Sequence, residues 1–311
     1  MQKLSLAILT IIGSITTDVM ALTHVVPKSI YNLDDREIIT SSTQNEIQKL
    51  STAVGLIFYK DDLINYDTAE KSNAIIASLL TDNPPTGHNY CSSEKFSDHR
   101  AYKRGCTGFL IGKDILITAG HCFRSKNDCH RKLITFSATA DRETEKGFKV
   151  FNDEVYECKK IIAQEYDQQD TLVDYAIIQL DRKTGILPLK FRQAKKIDDH
   201  EAVFMIGHPL GLPKIYSHNA FVMENISDVY FKASLDSFHG NSGSPVFNAK
   251  TLLVEGIMVR GEIDDDYRPE LKCNRNAVYS DEDNARGEGV TRLPVILPAL
   301  YNKFNFDENF L

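Results

Sequence analysis

Cys106-Thr107-Gly108-Phe109-Leu110-Ile111-Gly112-Lys113-Asp114-Ile115-Leu116-Ile117-Thr118-Ala119-Gly120-His121-Cys122 is the stretch that decides how this chain is read. Two short apolar runs flank Gly112-Lys113-Asp114. The runs are too short for helices and the break has turn chemistry, so the segment predicts a β-hairpin whose second strand ends at a histidine. Further strands are expected at residues 54–59, 133–138, 148–155, 175–180, 202–206, 229–233, 245–247 and 252–259. Many short strands without long helices between them predict an all-β barrel or sandwich. Three helices are expected. One starts at Thr43 with Glu46 as its capping partner and Ile47, Leu50 and Val54 at helical spacing. A second spans residues 67–80, stopped by Asn83-Pro84-Pro85-Thr86-Gly87, and a terminal one lies near 294–302. No internal repeat is visible.

The 311 residues hold 36 Lys+Arg against 43 Asp+Glu, a net charge of −7, with 25% charged and 42% hydrophobic residues. These are the proportions of a folded globular protein rather than a disordered, collagen-like or multi-span membrane chain. Net acidity argues against a nucleic-acid binder, which needs a basic face.

Met1-Gln2-Lys3 gives a basic start, residues 4–15 are mostly apolar, and Val19-Met20-Ala21 suits a signal peptidase. Residues 1–21 therefore read as a secretory signal peptide, too short in their apolar run to span a membrane. Residues 22–41 read as an irregular arm or short pro-segment. Export places the chain where disulfides persist. Six cysteines, Cys91, Cys106, Cys122, Cys129, Cys158 and Cys273, follow the cleavage point and permit 15 full pairings. Zinc is not expected, because neither a CxxC pair nor a spaced HxxxH occurs.

Three segments carry chemistry together. They are Thr118-Ala119-Gly120-His121-Cys122 after a strand, Asp174-Tyr175-Ala176-Ile177-Ile178-Gln179-Leu180 entering one, and Gly240-Asn241-Ser242-Gly243-Ser244-Pro245. A serine hydroxyl is a weak nucleophile and needs a base. Histidine suits that task near neutral pH, and a buried carboxylate fixes its tautomer. A glycine-rich turn lets backbone N–H groups converge on a developing oxyanion. Each piece alone is a common structural feature; the order His, Asp, Ser with matching flanks is what gives them weight.

With these motifs the chain resembles the trypsin/chymotrypsin-like serine endopeptidases, and most the compact bacterial branch that includes the glutamyl endopeptidases. The resemblance is strong over residues 106–122 and 234–261, moderate over 159–180 and faint at Asp34-Asp35-Arg36. It implies a double six-stranded β-barrel over residues 42–311, with the lobes meeting near 185–200 and the site between them. It implies His121 as general base, Asp174 as its orienter, Ser242 as nucleophile, and the N–H groups of Gly240 and Ser242 as oxyanion hole. It implies a Cys106–Cys122 bridge, leaving the other four cysteines unassigned. It further implies a secreted monomer acting on polypeptides without a cofactor or metal.

Two departures matter. Asn241 precedes the nucleophile where trypsin-like enzymes carry an Asp that pairs with a newly freed amine, so that activation switch is not expected; cleavage after Lys28 would free Ser29-Ile30. Asp236, six residues before Ser242, occupies the place of the carboxylate that floors the trypsin pocket. The stretch Gly256-Ile257-Met258-Val259-Arg260-Gly261 lacks the histidine of the Glu-specific branch. Cleavage after Arg or Lys is therefore expected, although Arg260 could pair with Asp236 or itself favour an acidic residue. His239 reads as a cleft rim or an exposed residue. Glu262 with Asp264-Asp265-Asp266 reads as a solvated acidic loop rather than a calcium site. His208-Pro209-Leu210-Gly211-Leu212-Pro213 and Gly287-Glu288-Gly289 read as turns. A catalytically dead binding module of the same fold is the main rival; an esterase elbow is excluded by the absence of GxSxG around Ser242 and by the His-before-Ser order.

Overall fold

A computed structural model describes residues 30–65, 74–78, 90–99, 102, 105–144, 147–261, 263–279 and 286–302. The signal peptide and the cleavage after Lys28 lie outside the described residues. Six strands close a first antiparallel barrel: β1 (Val54–Tyr59), β2 (Cys106–Leu110), β3 (Ile115–Thr118), β4 (Lys132–Thr135), β5 (Val155–Tyr166) and β6 (Asp174–Leu180). Their order is β1-β2-β3-β6-β5-β4, with β4 returning to β1. A second barrel is built from β7 (Ala202–Gly207), β8 (Ile215–Glu224), β9 (Tyr230–Ala233), β10 (Pro245–Asn248), β11 (Val254–Arg260) and β12 (Glu288–Arg292). Its order, β7-β8-β9-β12-β11-β10 with β10 returning to β7, repeats the first.

Period-two alternation assigns side chains to the two sides of each wall. In β7, Val203 and Met205 face the interior of the second barrel, whereas Phe204 and Ile206 join a core shared with the first. In β11, Met258 faces inward and Ile257 and Val259 face the shared core. Helix α3 (Leu293–Tyr301) completes that core with Leu293, Ile296, Leu297 and Leu300, an i, i+3, i+4, i+7 face. Helices α1 (Asn45–Ser51) and α2 (Lys126–Arg131) are short.

The hairpin at 106–118, the strand at 54–59 and the terminal helix form as the sequence indicates. Of the helix expected over 67–80, Ala74–Ser78 is instead a strand, paired with Leu63–Asn65 and Gly147–Phe151, and residues 67–73 and 79–80 lie outside the described residues. Its isoleucines suit a strand once two partners are present, and tertiary pairing overrides the local spacing. The turn expected at 287–289 is the start of β12, and β8 was not anticipated, because polar Ser217, His218 and Asn219 interrupt its apolar alternation.

Lys214, fully buried just before β8, ties the barrels: its Nζ donates to the carbonyls of Ser51 at 2.7 Å and Phe136 at 2.8 Å. Burial pushes its pKa down to about 7 from 10.5. Between these values the unfolded chain holds a proton that the folded chain has released, so this lysine's contribution to stability rises with pH across that window. Lys214→Met is expected to lower stability by about 2 kcal/mol, roughly 5 °C in Tm, through two orphaned carbonyls. Thermal melts should show the gap to wild type widening from pH 7 to pH 9.5; a constant gap would contradict the burial argument.

Candidate active site

Gly120 explains how β3 delivers His121. A Cβ at Gly120 would lie 2.0 Å from the Glu165 carbonyl oxygen and 2.8 Å from that of Tyr175, so only glycine lets this turn lie against β5 and β6. His121 follows in a short 3-10 turn, Gly120–Phe123. Its backbone N–H donates to Asp174 Oδ1 at 3.1 Å, and its Nδ1 lies 2.8 Å from Asp174 Oδ2. A carboxylate only accepts, so Nδ1 carries the proton and Nε2 presents its lone pair. Asp174 is buried, while the His121 ring is partly open and tilted against Tyr166 at 5.8 Å.

The serine turn comes from the other barrel. Gly240 and Gly243 adopt φ of +98° and +92°, the region that favours glycine. The turn is pressed onto the first barrel: a Cβ at Gly243 would sit 2.0 Å from the Thr107 carbonyl oxygen and 2.2 Å from Thr118 Oγ1. Gly243 N–H donates to the Met258 carbonyl at 2.7 Å, and Asn241 N–H to that of Phe238 at 3.0 Å. Among the described residues the N–H groups of Gly240 and Ser242 have no backbone acceptor. Cys106 and Cys122 are paired, and Cys122 Sγ lies 3.9 Å from the Ser242 carbonyl oxygen, which puts the His121 turn beside the serine turn. Ser242 Oγ makes no hydrogen bond to His121 among the described residues; such contacts often tighten only when substrate binds. The remaining bridges are Cys91–Cys273 and Cys129–Cys158. Ring nitrogen and sulfurs of Cys106, His121 and Cys122 lie within 4.8 Å of one another, but both sulfurs are spent in the disulfide and offer no thiolate to a metal.

Sequence reasoning missed Thr107. It is fully buried, and every polar group it has braces the site. Its N–H donates to the Ser242 carbonyl at 2.9 Å and its Oγ1 to the Gly240 carbonyl at 2.9 Å. Its Oγ1 accepts the His208 N–H at 3.1 Å, and its own carbonyl accepts Thr118 Oγ1 at 2.6 Å. His208, read as part of a turn, is a second such residue. It is wholly buried, its Nδ1–H donates to the Leu212 carbonyl at 2.9 Å, and burial pushes its pKa down to about 3, keeping it neutral. Its carbonyl would meet a Cβ at Gly240 at 2.5 Å, so the loop backs the turn directly.

Asp236 is not where the spacing to Ser242 suggested. Its carboxylate accepts the N–H groups of Tyr31 at 2.8 Å and Asp35 at 3.4 Å, turning toward the N-terminal arm. The cavity beside Ser242, about 450 Å³, is walled instead by Met258, Arg260, Gly261, Asp264, Asp265 and Glu288, with His239 on its lining. The loop position was legible; the direction of the side chain was set by an arm some 200 residues away in sequence. That arm is anchored by buried Arg36, bonded to Asp34 and stacked over Phe238 at 4.1 Å. His239 is exposed and donates its N–H to Asp264 Oδ2 at 2.8 Å, while Asp266 pairs with Arg268 at 2.8 Å. Glu288, in the supposed turn, is fully buried.

A histidine bonded to an aspartate thus lies beside a serine turn between two six-stranded barrels. Residues 106–257 match the family model described as the trypsin-like peptidase domain, so the chain carries that domain. The solved Glu endopeptidase structure aligns over 88% of this chain and 99% of its own, with a TM-score of 0.50 and 13% identity, a likeness of fold. The serine endoprotease from Yersinia pestis aligns over 86% of this chain and 68% of its own, with a TM-score of 0.48 and 14% identity. Granzyme-like protein 2 of Rattus norvegicus is 30% identical over 107 residues, which span 34% of this chain and 39% of the relative.

Two outcomes are expected. Thr107→Val, which keeps shape and removes the hydroxyl, should lower kcat about tenfold with KM little changed, and Thr107→Ser should restore most of it; steady-state kinetics on a peptide substrate checks this. For Asp236, burial pushes the pKa up to about 7 from 3.8, against the Tyr31 N–H bond that pulls it down. The folded chain then holds a proton that the unfolded chain has released, and the associated stability is lost as pH rises from 3.8 to about 7. Asp236→Asn lacks this loss, so its Tm relative to wild type should climb by roughly 5 °C between pH 5 and pH 8.

Proposed function

We propose that the chain is a secreted serine endopeptidase that cleaves polypeptides through an acyl-enzyme, after Arg or Lys. The observation that carries this is the 2.8 Å contact between His121 Nδ1 and Asp174 Oδ2, which sets the tautomer a general base needs. In this reading His121 Nε2 takes the proton of Ser242 Oγ as it attacks the scissile carbonyl. The N–H groups of Gly240 and Ser242 then receive the oxyanion, and the imidazolium returns its proton to the leaving amine. Asp174 holds the ring in that tautomer and stabilises the imidazolium. No cofactor enters, and a single chain suffices.

The preference for a basic residue rests on the three carboxylates in the cavity wall, Asp264, Asp265 and Glu288, rather than on Asp236. An acidic pocket next to the nucleophile discriminates by charge pairing with the substrate side chain. Arg260 and His239 in the same wall favour a second reading, cleavage after Glu. Three disulfides support an oxidising compartment, and no described helix is long and apolar enough to cross a membrane.

The test is cleavage of fluorogenic peptides carrying Arg, Lys, Glu or Phe before the scissile bond. Ser242→Ala should lose activity by more than about 1000-fold. Arg and Lys peptides should be preferred, and Glu288→Gln should reduce that preference about tenfold while Asp236→Asn leaves it in place. Serine-dependent cleavage after Glu would establish the second reading, and no serine-dependent cleavage would leave a binding module.

A further inference from the structure

A charged side chain, Arg260, bonds the loop that delivers Asp174 to the other barrel. Residues 167–173 organise themselves: the Asp167 carboxylate accepts N–H bonds from Gln169 at 2.9 Å, Asp170 at 3.2 Å and Thr171 at 2.8 Å, and the Thr171 hydroxyl at 2.8 Å. Asp167 N–H donates to the Val173 carbonyl at 2.9 Å, closing the loop just before β6. This leaves the Leu172 carbonyl turned outward, with Leu172 itself at φ +58°. Arg260, at the end of β11 in the second barrel, donates from Nη2 to that carbonyl. The same Arg260 lines the cavity beside Ser242, and its guanidinium sits 5.9 Å from the Tyr230 ring centroid. It thus spans from the wall of the substrate cavity to the loop that holds the histidine's carboxylate.

We infer that Arg260 is a positioning residue: it clasps the 167–173 loop across the cleft and so fixes where Asp174 stands against His121. The inference rests on the triad reading above. The titratable groups facing Arg260 are Asp174, Tyr230, Tyr166 and Asp167, with Glu288 across the cavity. His121 is bonded to Asp174 and packs against the Tyr166 ring, which carries Arg124 over its face at 5.2 Å. Burial lowers the pKa of Arg260 from 12.5, and the neighbouring Asp174 raises it. Arginine remains charged at working pH, so its donation to the Leu172 carbonyl is a charge-assisted hydrogen bond. The guanidinium fork also fixes the loop's distance from β11, and small displacements of an orienting carboxylate are costly in rate.

The experiment uses the full mature chain as wild type, Arg260→Gln, Arg260→Lys and Ser242→Ala, with an alkyl fluorophosphonate as the serine-directed probe. Such a probe carries no side chain to be sorted by the pocket, so its inactivation rate reports the triad independently of substrate preference. Arg260→Gln should slow inactivation at pH 7 about tenfold. Arg260→Lys, which can still donate to the Leu172 carbonyl but without the fork, should recover part of the rate. The inference is overturned if Arg260→Gln reproduces the wild-type rate, or if Arg260→Lys is as slow as Arg260→Gln. Should Arg260→Gln not fold, the Lys variant decides alone: a several-fold fall in rate supports the clasp, and an unchanged rate rejects it. Failure of the wild type to label in a Ser242-dependent manner would instead remove the triad reading, and the inference with it.

Discussion

Thr107 is the point at which the two barrels become one site. Its backbone N–H holds Ser242, its hydroxyl holds Gly240 and receives His208, and its carbonyl receives Thr118. A buried residue whose polar groups are all bonded across an interface leaves that interface few alternative registers, since any slip would strand several of them at once. The Cys106–Cys122 bridge brackets the same hairpin and ends one residue past His121. Glycine at 120 and 243 then permits approaches that no side chain would tolerate. The Ser242 turn and His121 are thus positioned against one hairpin, although 121 positions separate the two residues in sequence.

Other buried polar groups follow the same logic. Lys214 and Asp236 are not scattered in the barrel interiors, where an unpaired charge would be most expensive. Lys214 lies where the second barrel meets α1 and the end of β4, and Asp236 lies where the N-terminal arm meets the loop before Ser242. Each satisfies or is satisfied by backbone groups of a segment distant in sequence. Arg36, stacked on Phe238, carries the arm's hold to within two residues of Gly240. The arm thereby becomes part of the site's foundation even though its own sequence is irregular.

The cavity combines carboxylates with Arg260. Because the Arg260 guanidinium is engaged with the Leu172 carbonyl on the far barrel, its charge is drawn toward the His121–Asp174 side. Asp264, Asp265 and Glu288 remain in the wall beside Ser242. The wall of the cavity and the support of the loop before β6 therefore share one strand end, that of β11.

The sequence alone determined what is local. Apolar runs split by Gly112-Lys113-Asp114 give the hairpin, the segment near 294–302 gives the last helix, and the flanks of His121, Asp174 and Ser242 single out the candidate site residues, because each depends on neighbours within a few residues. Tertiary structure decided what depends on distant partners. Ala74–Ser78 became a strand because two other strands met it. Asp236 turned from the cavity because the N–H groups of Tyr31 and Asp35 captured it, and Glu288 entered the cavity because β12 pairs with β9 and β11. Thr107, unremarkable in sequence, acquired its role only when two barrels of the same strand order closed on one another. Side-chain direction and long-range pairing are set by contacts made late in the chain's own geometry, and no local pattern encodes them.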